Sequence, residues 1–243
     1  MISVICCYND KKIYEKMLLS SLSMQTCEYE LIGIDNMNNV YSSMAQAYND
    51  NIDKIHGQAV LFCHQDIFFT NSDTLKIINE GIETHPDSIV GLCGIDEHKK
   101  VFSNLKYKKT NAYISSNQLT SDKEVLTIDE CCYGMSIETL KKLGKYDEEV
   151  CDNWHLYATE MCLRAKLKNL KGYVIPVDCY HRETKSTGNR LDKQFLYSFS
   201  KIRKKYKKNY KNIYSVCLVT SSKFPQYHLK MLKLKLKLLA KRR

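Results

Sequence analysis

Three polar side chains follow a short apolar run early in the chain. Ala59–Cys63 is apolar throughout, and His64, Gln65 and Asp66 come directly after it. Imidazole and carboxylate groups are both metal ligands, and two of them placed two residues apart past a strand end can hold one divalent ion. Ligands of open α/β sheets bind at the carboxyl ends of strands. The tripeptide therefore predicts a metal site whose coordination the phosphates of a nucleotide could complete.

Polar residues also follow three other strands that the sequence predicts. They are Tyr8, Asn9 and Asp10 after Ile2–Cys7, Asp35 after Glu30–Ile34, and His181 after Tyr173–Tyr180. Because the carboxyl ends of parallel strands meet at one edge of a sheet, we expect these groups to converge on a nucleotide site. A carboxylate such as Asp35 can accept hydrogen bonds from a base or a ribose. An ordinary turn or helix cap is the alternative for each, and for Asp10 in particular.

The remaining apolar pattern alternates between strand and helix periods. Further strands are predicted at Gln58–Cys63, Ile89–Ile95 and Val125–Cys132, and helices at Tyr14–Met24, Ser42–Ile55, 74–83, from Ser136 onward, His155–Asn169 and Leu191–Lys211. This order is typical of βαβ units, so we expect an α/β fold with a mixed, mainly parallel sheet flanked by helices. Residues 97–124 are polar and rich in lysine, and we expect them to form an irregular excursion over the site.

Length and composition indicate one large soluble domain. The chain has 243 residues, of which 44% are hydrophobic, and no run of 18 apolar residues that would predict a transmembrane helix. Met1–Cys7 lacks the basic leader of a signal peptide. The 11 cysteines include no Cys-x-x-Cys pair, which predicts reduced thiols in the cytoplasm.

Positive charge is concentrated at the C-terminal end. Of the 37 Lys and Arg residues, 15 lie in 201–243, which contains no Asp or Glu, so the rest of the chain is mildly acidic. Four leucines would share one helix face, with the lysines broadly opposite: Leu229, Leu232, Leu236 and Leu239. A basic amphipathic helix predicts binding to an anionic membrane surface. The alternation over 232–238 also suits a strand, and a partner-binding helix or a solvated tail is the alternative role.

The ordered motifs resemble glycosyltransferases of the GT-A fold, in the family-2-like group, over residues 2–190. The first half carries Tyr8-Asn9-Asp10, Asp35, the helix segment Ala45–Asn49, and His64-Gln65-Asp66 in the place of Asp-x-Asp. The second half carries Ile128–Met135, the turn Leu143–Glu148 and the helix segment Trp154–Arg164. The resemblance implies a nucleotide-binding half at 1–95, an acceptor and catalytic half at 96–190, and a basic helical tail at 191–243.

The resemblance also implies roles for individual residues. Asp66 would bind Mn²⁺ or Mg²⁺, with His64 and His181 as further ligands, and the ion would neutralise the leaving diphosphate. Donor contacts are expected from Tyr8, Asn9, Asp10, Asp35, Asn49 and, in the polar loop 182–189, Lys185.

The catalytic base is the least defined of these roles. The family's usual aspartate falls on Ala158, and Glu160 falls on a later acidic position. Candidates nearby are Asp152, His155, Glu160 and Asp129. Only one carboxylate or imidazole is required to take the proton of the acceptor hydroxyl, and an acidic residue within 152–160 is favoured, aided by His155.

The implied function is transfer of a sugar, with inversion, from a nucleotide sugar to a growing lipid-linked surface glycan. A UDP-sugar is the favoured donor, and the expected location is the inner face of the membrane, with a homo-oligomer left open. One alternative is a nucleotidyltransferase, although Cys7–Asp10 lacks the glycine-rich loop that such enzymes have. The other is a non-catalytic protein whose basic tail binds nucleic acid or membrane. Because the charge lies in one terminal segment, no specific nucleic-acid partner is expected.

Overall fold

The computed structural model describes residues 1–182 and 191–240. The strands in these residues are β1 Ile2–Tyr8, β2 Tyr29–Asp35, β3 Ala59–Cys63, β4 Ile67–Phe69, β5 Ser88–Gly91, β6 Cys93–Ile95, β7 Val101–Ser103, β8 Lys106–Tyr107, β9 Lys123–Val125, β10 Thr127–Ile128, β11 Cys132–Ser136, β12 Lys171–Val174, β13 Cys179–His181, β14 Asn212–Tyr214 and β15 Val219–Ser221. The α-helices are α1 Lys11–Tyr14, α2 Ser20–Leu22, α3 Met44–Asn49, α4 Thr74–Thr84, α5 Ile137–Leu143, α6 Tyr157–Leu167, α7 Lys193–Tyr206 and α8 Gln226–Ala240. A π-helical turn, Glu15–Leu19, joins α1 to α2.

A seven-stranded sheet forms the centre of the fold, in the order β2-β1-β3-β11-β5-β12-β9. Five of these strands run in one direction, while β11 and β9 run the opposite way. Helices α3, α5 and α6 cover one face, and α4 with the 11–22 helical segment covers the other. Strand β3 is apolar throughout, and β1 is apolar apart from Ser3 and Tyr8, because both faces of these strands are buried. The mixed, mainly parallel α/β fold predicted from the sequence is confirmed.

Two predicted strands each leave the central sheet part-way along. The prediction of a single strand at Ile89–Ile95 is wrong: β5 stays in the central sheet, while β6 pairs with β7 and β10 in a second sheet. Tyr173–Tyr180 divides in the same way into β12 and β13, which lie in different sheets. Pro176 lies between them, and proline cannot donate a ladder hydrogen bond.

The predicted strand Val125–Cys132 is also wrong as one unit. Its residues belong to β9, β10 and the start of β11, which lie in two different sheets. Part of the excursion at 97–124 is ordered into β7, β8 and β9 rather than irregular. One consequence is that β8 runs beside β13, the strand that ends at His181.

The C-terminal segment packs against the central domain. Phe195, Phe199 and Ile202 of α7 are buried in one apolar cluster with Leu156 and Leu163. This cluster continues through the β14–β15 hairpin to α8, the helix predicted for the tail. Among the described residues, no helix has both the length and the apolar character needed to cross a membrane.

Candidate active site

His64, Asp66 and His181 form a compact cluster of metal-ligand groups. One ligand atom from each residue lies within 4.8 Å of the other two. Asp66 Oδ1 lies 4.0 Å from His64 Nδ1 and 3.5 Å from His181 Nε2. All three side chains are half-buried, so they are held in place yet open to a ligand. Two imidazoles and one carboxylate suit a first-row divalent cation such as Mn²⁺, and the donor set therefore fits the predicted metal.

Strand pairing brings His181 to the other two residues. The turn that holds Asp66 leads directly into β4, which pairs antiparallel with β13, so that Ile67 lies opposite His181. The backbone N–H of Arg182 also donates to the carbonyl oxygen of Asp66 over 3.1 Å. The three residues are thus fixed by backbone hydrogen bonds between segments more than 100 positions apart.

Tyr157 fixes the ring of His64. The hydroxyl of Tyr157 lies 2.9 Å from His64 Nε2, which leaves Nδ1 facing Asp66. Tyr157 itself is fully buried at the start of α6. Burial also lowers the pKa of His64, and only a neutral imidazole can bind a metal. A partner on the second ring nitrogen is the usual way in which a ligating histidine is oriented.

A cavity of about 210 Å³ lies between the ends of β1 and β3. It is lined by Cys7, Tyr8, Asn9, Asn36, Met44, His64, Gln65, Asp66 and Trp154. Gln65 joins the two strand ends: its Oε1 accepts from the backbone N–H groups of Asn9 and Asp10, each over 3.0 Å. The cavity adjoins the cluster of His64, Asp66 and His181, at the position where a parallel sheet binds nucleotides.

A second cavity, of about 290 Å³, adjoins the first and shares His64 and Asp66 with it. Its polar lining comes from His64, Asp66, Asp129, Glu130, His155, Thr159 and His181, and Trp154 lines both cavities. The 129–130 segment reaches this place because β11 runs antiparallel to β3, and the N–H of His64 donates to the carbonyl oxygen of Cys131 over 2.9 Å.

Glu130 is the most perturbed carboxyl of this cavity. Its Oε1 accepts a hydrogen bond of 2.6 Å from the backbone N–H of Leu156, the residue before α6, which has a left-handed backbone at φ 67°. Burial, and then the charge of Asp129, raise the pKa of Glu130 to about 8. A carboxyl with a pKa near neutrality, in the same cavity as His64, Asp66 and His181, has the properties of an acid–base group.

Comparison with known proteins identifies the family of this chain. A model of the glycosyltransferase-like family matches residues 3–210. The chain belongs to this family.

Solved structures show the same fold. GalNAc-T7 with UDP, GalNAc and Mn²⁺ superposes with a TM-score of 0.61 at 10% identity over 84% of this chain and 47% of that one. The mannosyltransferase PcManGT from Pyrobaculum calidifontis, in complex with GDP-Man and Mn²⁺, gives a TM-score of 0.59 at 12% identity over 86% of this chain and 65% of that one. This chain therefore spans about half to two thirds of those two proteins. A search of curated proteins by sequence gives no match. The GT-A fold and the family-2-like membership implied by the motifs are confirmed.

Three of the expected donor contacts lie at the edge of this glycosyltransferase-like domain. Tyr8 and Asn9 line the smaller cavity. Asp35 ends β2 directly beside Tyr8, is exposed, and accepts a hydrogen bond of 2.9 Å from Met37 N. Asp10 has the alternative feature that the sequence predicted, since its carboxylate caps α1 by accepting from Ile13 N over 3.0 Å.

Asn49, another expected donor contact, is buried away from both cavities. Its amide donates to the carbonyl oxygen of Tyr146 and to Glu148, and its oxygen accepts from Tyr146 N, all within 2.9 Å. These bonds tie α3 to the turn after α5. The structure therefore gives Asn49 a structural role, because its hydrogen-bonding groups are already used. Lys185 and the rest of the loop 183–190 lie outside the described residues.

Two of the candidate bases, Glu160 and Asp152, form ion pairs with basic side chains and line neither cavity. Glu160 is completely buried and accepts from Arg164, Lys205 and Tyr206 at 2.6–2.8 Å. Asp152 forms a 2.6 Å ion pair with Lys201 of α7. Asp129 and His155 do line the larger cavity.

The sequence prediction missed Glu130, Tyr157 and Gln65 as site residues. Glu130 follows Asp129 directly, and a pair of adjacent carboxyls ahead of a strand is a signal that could have indicated it. Tyr157 carries no such signal, because its contact with His64 depends on where α6 packs.

Proposed function

We propose that this chain is a divalent-metal-dependent glycosyltransferase that uses a nucleotide-sugar donor. The observation that carries this proposal is the cluster of His64, Asp66 and His181 at the strand ends of a GT-A sheet. The similar structures that contain a nucleotide or nucleotide sugar with Mn²⁺ support the choice of ligand. When bound here, the ion would neutralise the charge of the leaving diphosphate.

The chain's own residues would divide the remaining work. Gln65 hydrogen-bonds to Asn9 and so holds the turn after β1 against the 64–66 segment. The smaller cavity, which we assign to the donor, is thereby preformed. The larger cavity would hold the acceptor. Trp154 lines both cavities, at the place where the sugar would pass from the donor to the acceptor.

Glu130 is the base that we propose for the acceptor. In a single displacement the acceptor oxygen bonds to the anomeric carbon, the bond from that carbon to the diphosphate breaks, and the acceptor proton passes to the Glu130 carboxylate. One base is sufficient for this inverting reaction. Asp129 and His155 line the same cavity and are the competing candidates.

The metal assignment is tested with Asp66→Asn. Mn²⁺ binding, followed by electron paramagnetic resonance, should weaken by more than the roughly 10–100-fold that loss of an outer-shell partner costs. Hydrolysis of UDP- and GDP-sugars should fall with it. Asp53→Asn, on an exposed turn, is the matched control. Unchanged Mn²⁺ affinity in Asp66→Asn would contradict the assignment. Release of pyrophosphate from a nucleoside triphosphate and a sugar 1-phosphate, without hydrolysis of the nucleotide sugars, would favour a nucleotidyltransferase.

The base is tested with Glu130→Gln, Asp129→Asn and His155→Asn. Quenching of Trp154, the single tryptophan, reports UDP binding independently of turnover. We expect Glu130→Gln to bind UDP and Mn²⁺ normally while transfer falls about 100-fold or more, within the range of general-base catalysis. A larger loss in either of the other two variants would transfer the role to that residue.

The C-terminal helix supports a location at a membrane. Tyr227, Met231, Leu234 and Leu238 pack inward, whereas the four predicted leucines are more than half exposed: Leu229, Leu232, Leu236 and Leu239. At 100° per residue, the lysines of α8 flank this leucine stripe, and the face opposite it packs on the protein. We therefore propose that α8 binds the inner face of an anionic membrane. This contact would place the site near a lipid-linked glycan acceptor.

A further inference from the structure

The turn of the β14–β15 hairpin closes one side of the larger cavity. Ser215, Val216 and Cys217 line it, together with residues of three other segments: Leu105, Ile114 and Phe195. These side chains are largely apolar, in contrast to the carboxyls and imidazoles that line the rest of the cavity. The cavity thus combines a reactive polar part with an apolar wall.

The hairpin is held firmly in this position. Ile213 and Leu218 are buried against α7 and α8. The Ser215 hydroxyl accepts from Leu218 N and donates to Leu218 O, both over 3.0 Å, which fixes the turn. On the other side, Thr127 donates to the carbonyl oxygen of Tyr214 over 3.3 Å. The wall is therefore preformed and needs no ordering when a ligand binds.

The hairpin also lies beyond the part of the chain that defines the family. The family match ends at residue 210, and the hairpin begins at Asn212. The hairpin part of the wall therefore lies outside the matched region, whereas Ile114 and Phe195 lie inside it. A loop at the rim of a site, held by a rigid scaffold, is well placed to select substrates.

We propose that the wall formed by Val216, Cys217, Ile114 and Phe195 is an acceptor subsite that binds an apolar group next to the reacting hydroxyl. This proposal rests on the proposed function and deepens it by giving the class of acceptor: a sugar with an apolar aglycone or substituent. A cavity of about 290 Å³ is at the small end of ligand sites, so it holds one sugar with an apolar group of a few carbons.

The test measures binding of alkyl glucosides of increasing chain length to the full chain saturated with UDP and Mn²⁺. Trp154 lines this cavity, so its fluorescence reports occupancy without turnover. We expect affinity to rise about threefold to fourfold for each methylene from methyl to butyl glucoside, as burial of a methylene predicts. A plateau after butyl supports a small substituent, and a rise that continues to octyl supports a lipid chain that leaves along the wall.

Val216→Asp should abolish this dependence on chain length. Val219→Asp is the matched control, since Val219 lies on the same hairpin and does not line the cavity. Val216→Thr, which keeps the volume, should weaken the dependence and guards against a folding defect in the aspartate variant. Binding that is independent of chain length, or a dependence that survives in Val216→Asp, would overturn the subsite. Absence of any UDP response would instead contradict the proposed function.

Discussion

The side chain of Gln65 forms two hydrogen bonds with Asn9. Its oxygen accepts the backbone N–H of Asn9 over 3.0 Å, and its nitrogen donates to Asn9 Oδ1 over 2.8 Å. The middle residue of the metal tripeptide thus has a task of its own, which is to join the end of β3 to the turn after β1. Gln65 therefore connects the strand end that carries His64 and Asp66 to the wall of the 210 Å³ cavity formed by Asn9.

Gln65→Leu should separate donor binding from metal binding. The leucine fills a similar volume but leaves the N–H groups of Asn9 and Asp10 without their acceptor, at a cost of about 1–2 kcal/mol. We expect about tenfold weaker UDP binding by Trp154 quenching, with Mn²⁺ affinity changed by less than about threefold. Gln58→Leu, at the exposed residue just before the same strand, is the control. Equal losses of UDP and Mn²⁺ binding would show that Gln65 supports the metal cluster directly.

Glu130 should make the stability of the metal-free protein depend on pH. Its pKa is raised from an ordinary 4.5 to about 8, so the folded protein binds its proton more tightly than the unfolded chain does. The associated stability is complete below pH 4.5 and is lost as the pH rises through 8, on the order of a few kcal/mol. Urea unfolding between pH 5 and 9 should show this loss in the wild type and not in Glu130→Gln. Parallel curves for the two proteins would contradict it.

Glu160→Gln should reduce stability without impairing turnover of the folded enzyme. The substitution leaves Lys205 and Arg164 without the buried carboxylate they share, and removal of one partner of a buried ion pair costs about 3–5 kcal/mol. Glu80→Gln, which breaks the exposed pair with Lys76, should cost less than about 0.5 kcal/mol in the same urea titration. A stable Glu160→Gln protein with greatly reduced transfer would instead favour Glu160 as the base.

Membrane binding should depend on the leucine stripe of α8. In sedimentation with vesicles that contain phosphatidylglycerol, the double variant Leu232→Ser, Leu236→Ser should bind at least about tenfold more weakly, because each buried leucine contributes about 1.5–3 kcal/mol. Vesicles of phosphatidylcholine alone should bind the wild type weakly, since each lysine adds about 1 kcal/mol only on an anionic surface. Ile77→Ser, at an exposed position of α4, is the control. Equal binding by all three proteins would exclude α8 as the contact.

Local patterns in the sequence determined the parts of the site that depend on neighbouring residues. The apolar run that ends at Cys63 predicts a strand whether or not its partners are known, so His64 and Asp66 could be placed at a strand end. The leucine spacing in α8 likewise predicts a helix with one apolar stripe, and the structure shows that stripe exposed. Periodicity succeeds here because it depends on backbone geometry within a few residues.

Tertiary structure decided every relationship that depends on strand pairing or on the packing of helices. Glu130 lines the same cavity as His64 only because β11 runs antiparallel to β3, a pairing that splits a segment whose sequence resembles one long strand. Glu160 lies two residues from the position of the family's catalytic aspartate and was a candidate base, yet the packing of α7 supplies Lys205 and Tyr206, which hold its buried carboxylate. The sequence by itself thus determined which strand end carries metal ligands and where an apolar helix face occurs. Only the folded chain decided which carboxyl faces the cavity, because that depends on contacts between segments far apart in sequence, which no local pattern encodes.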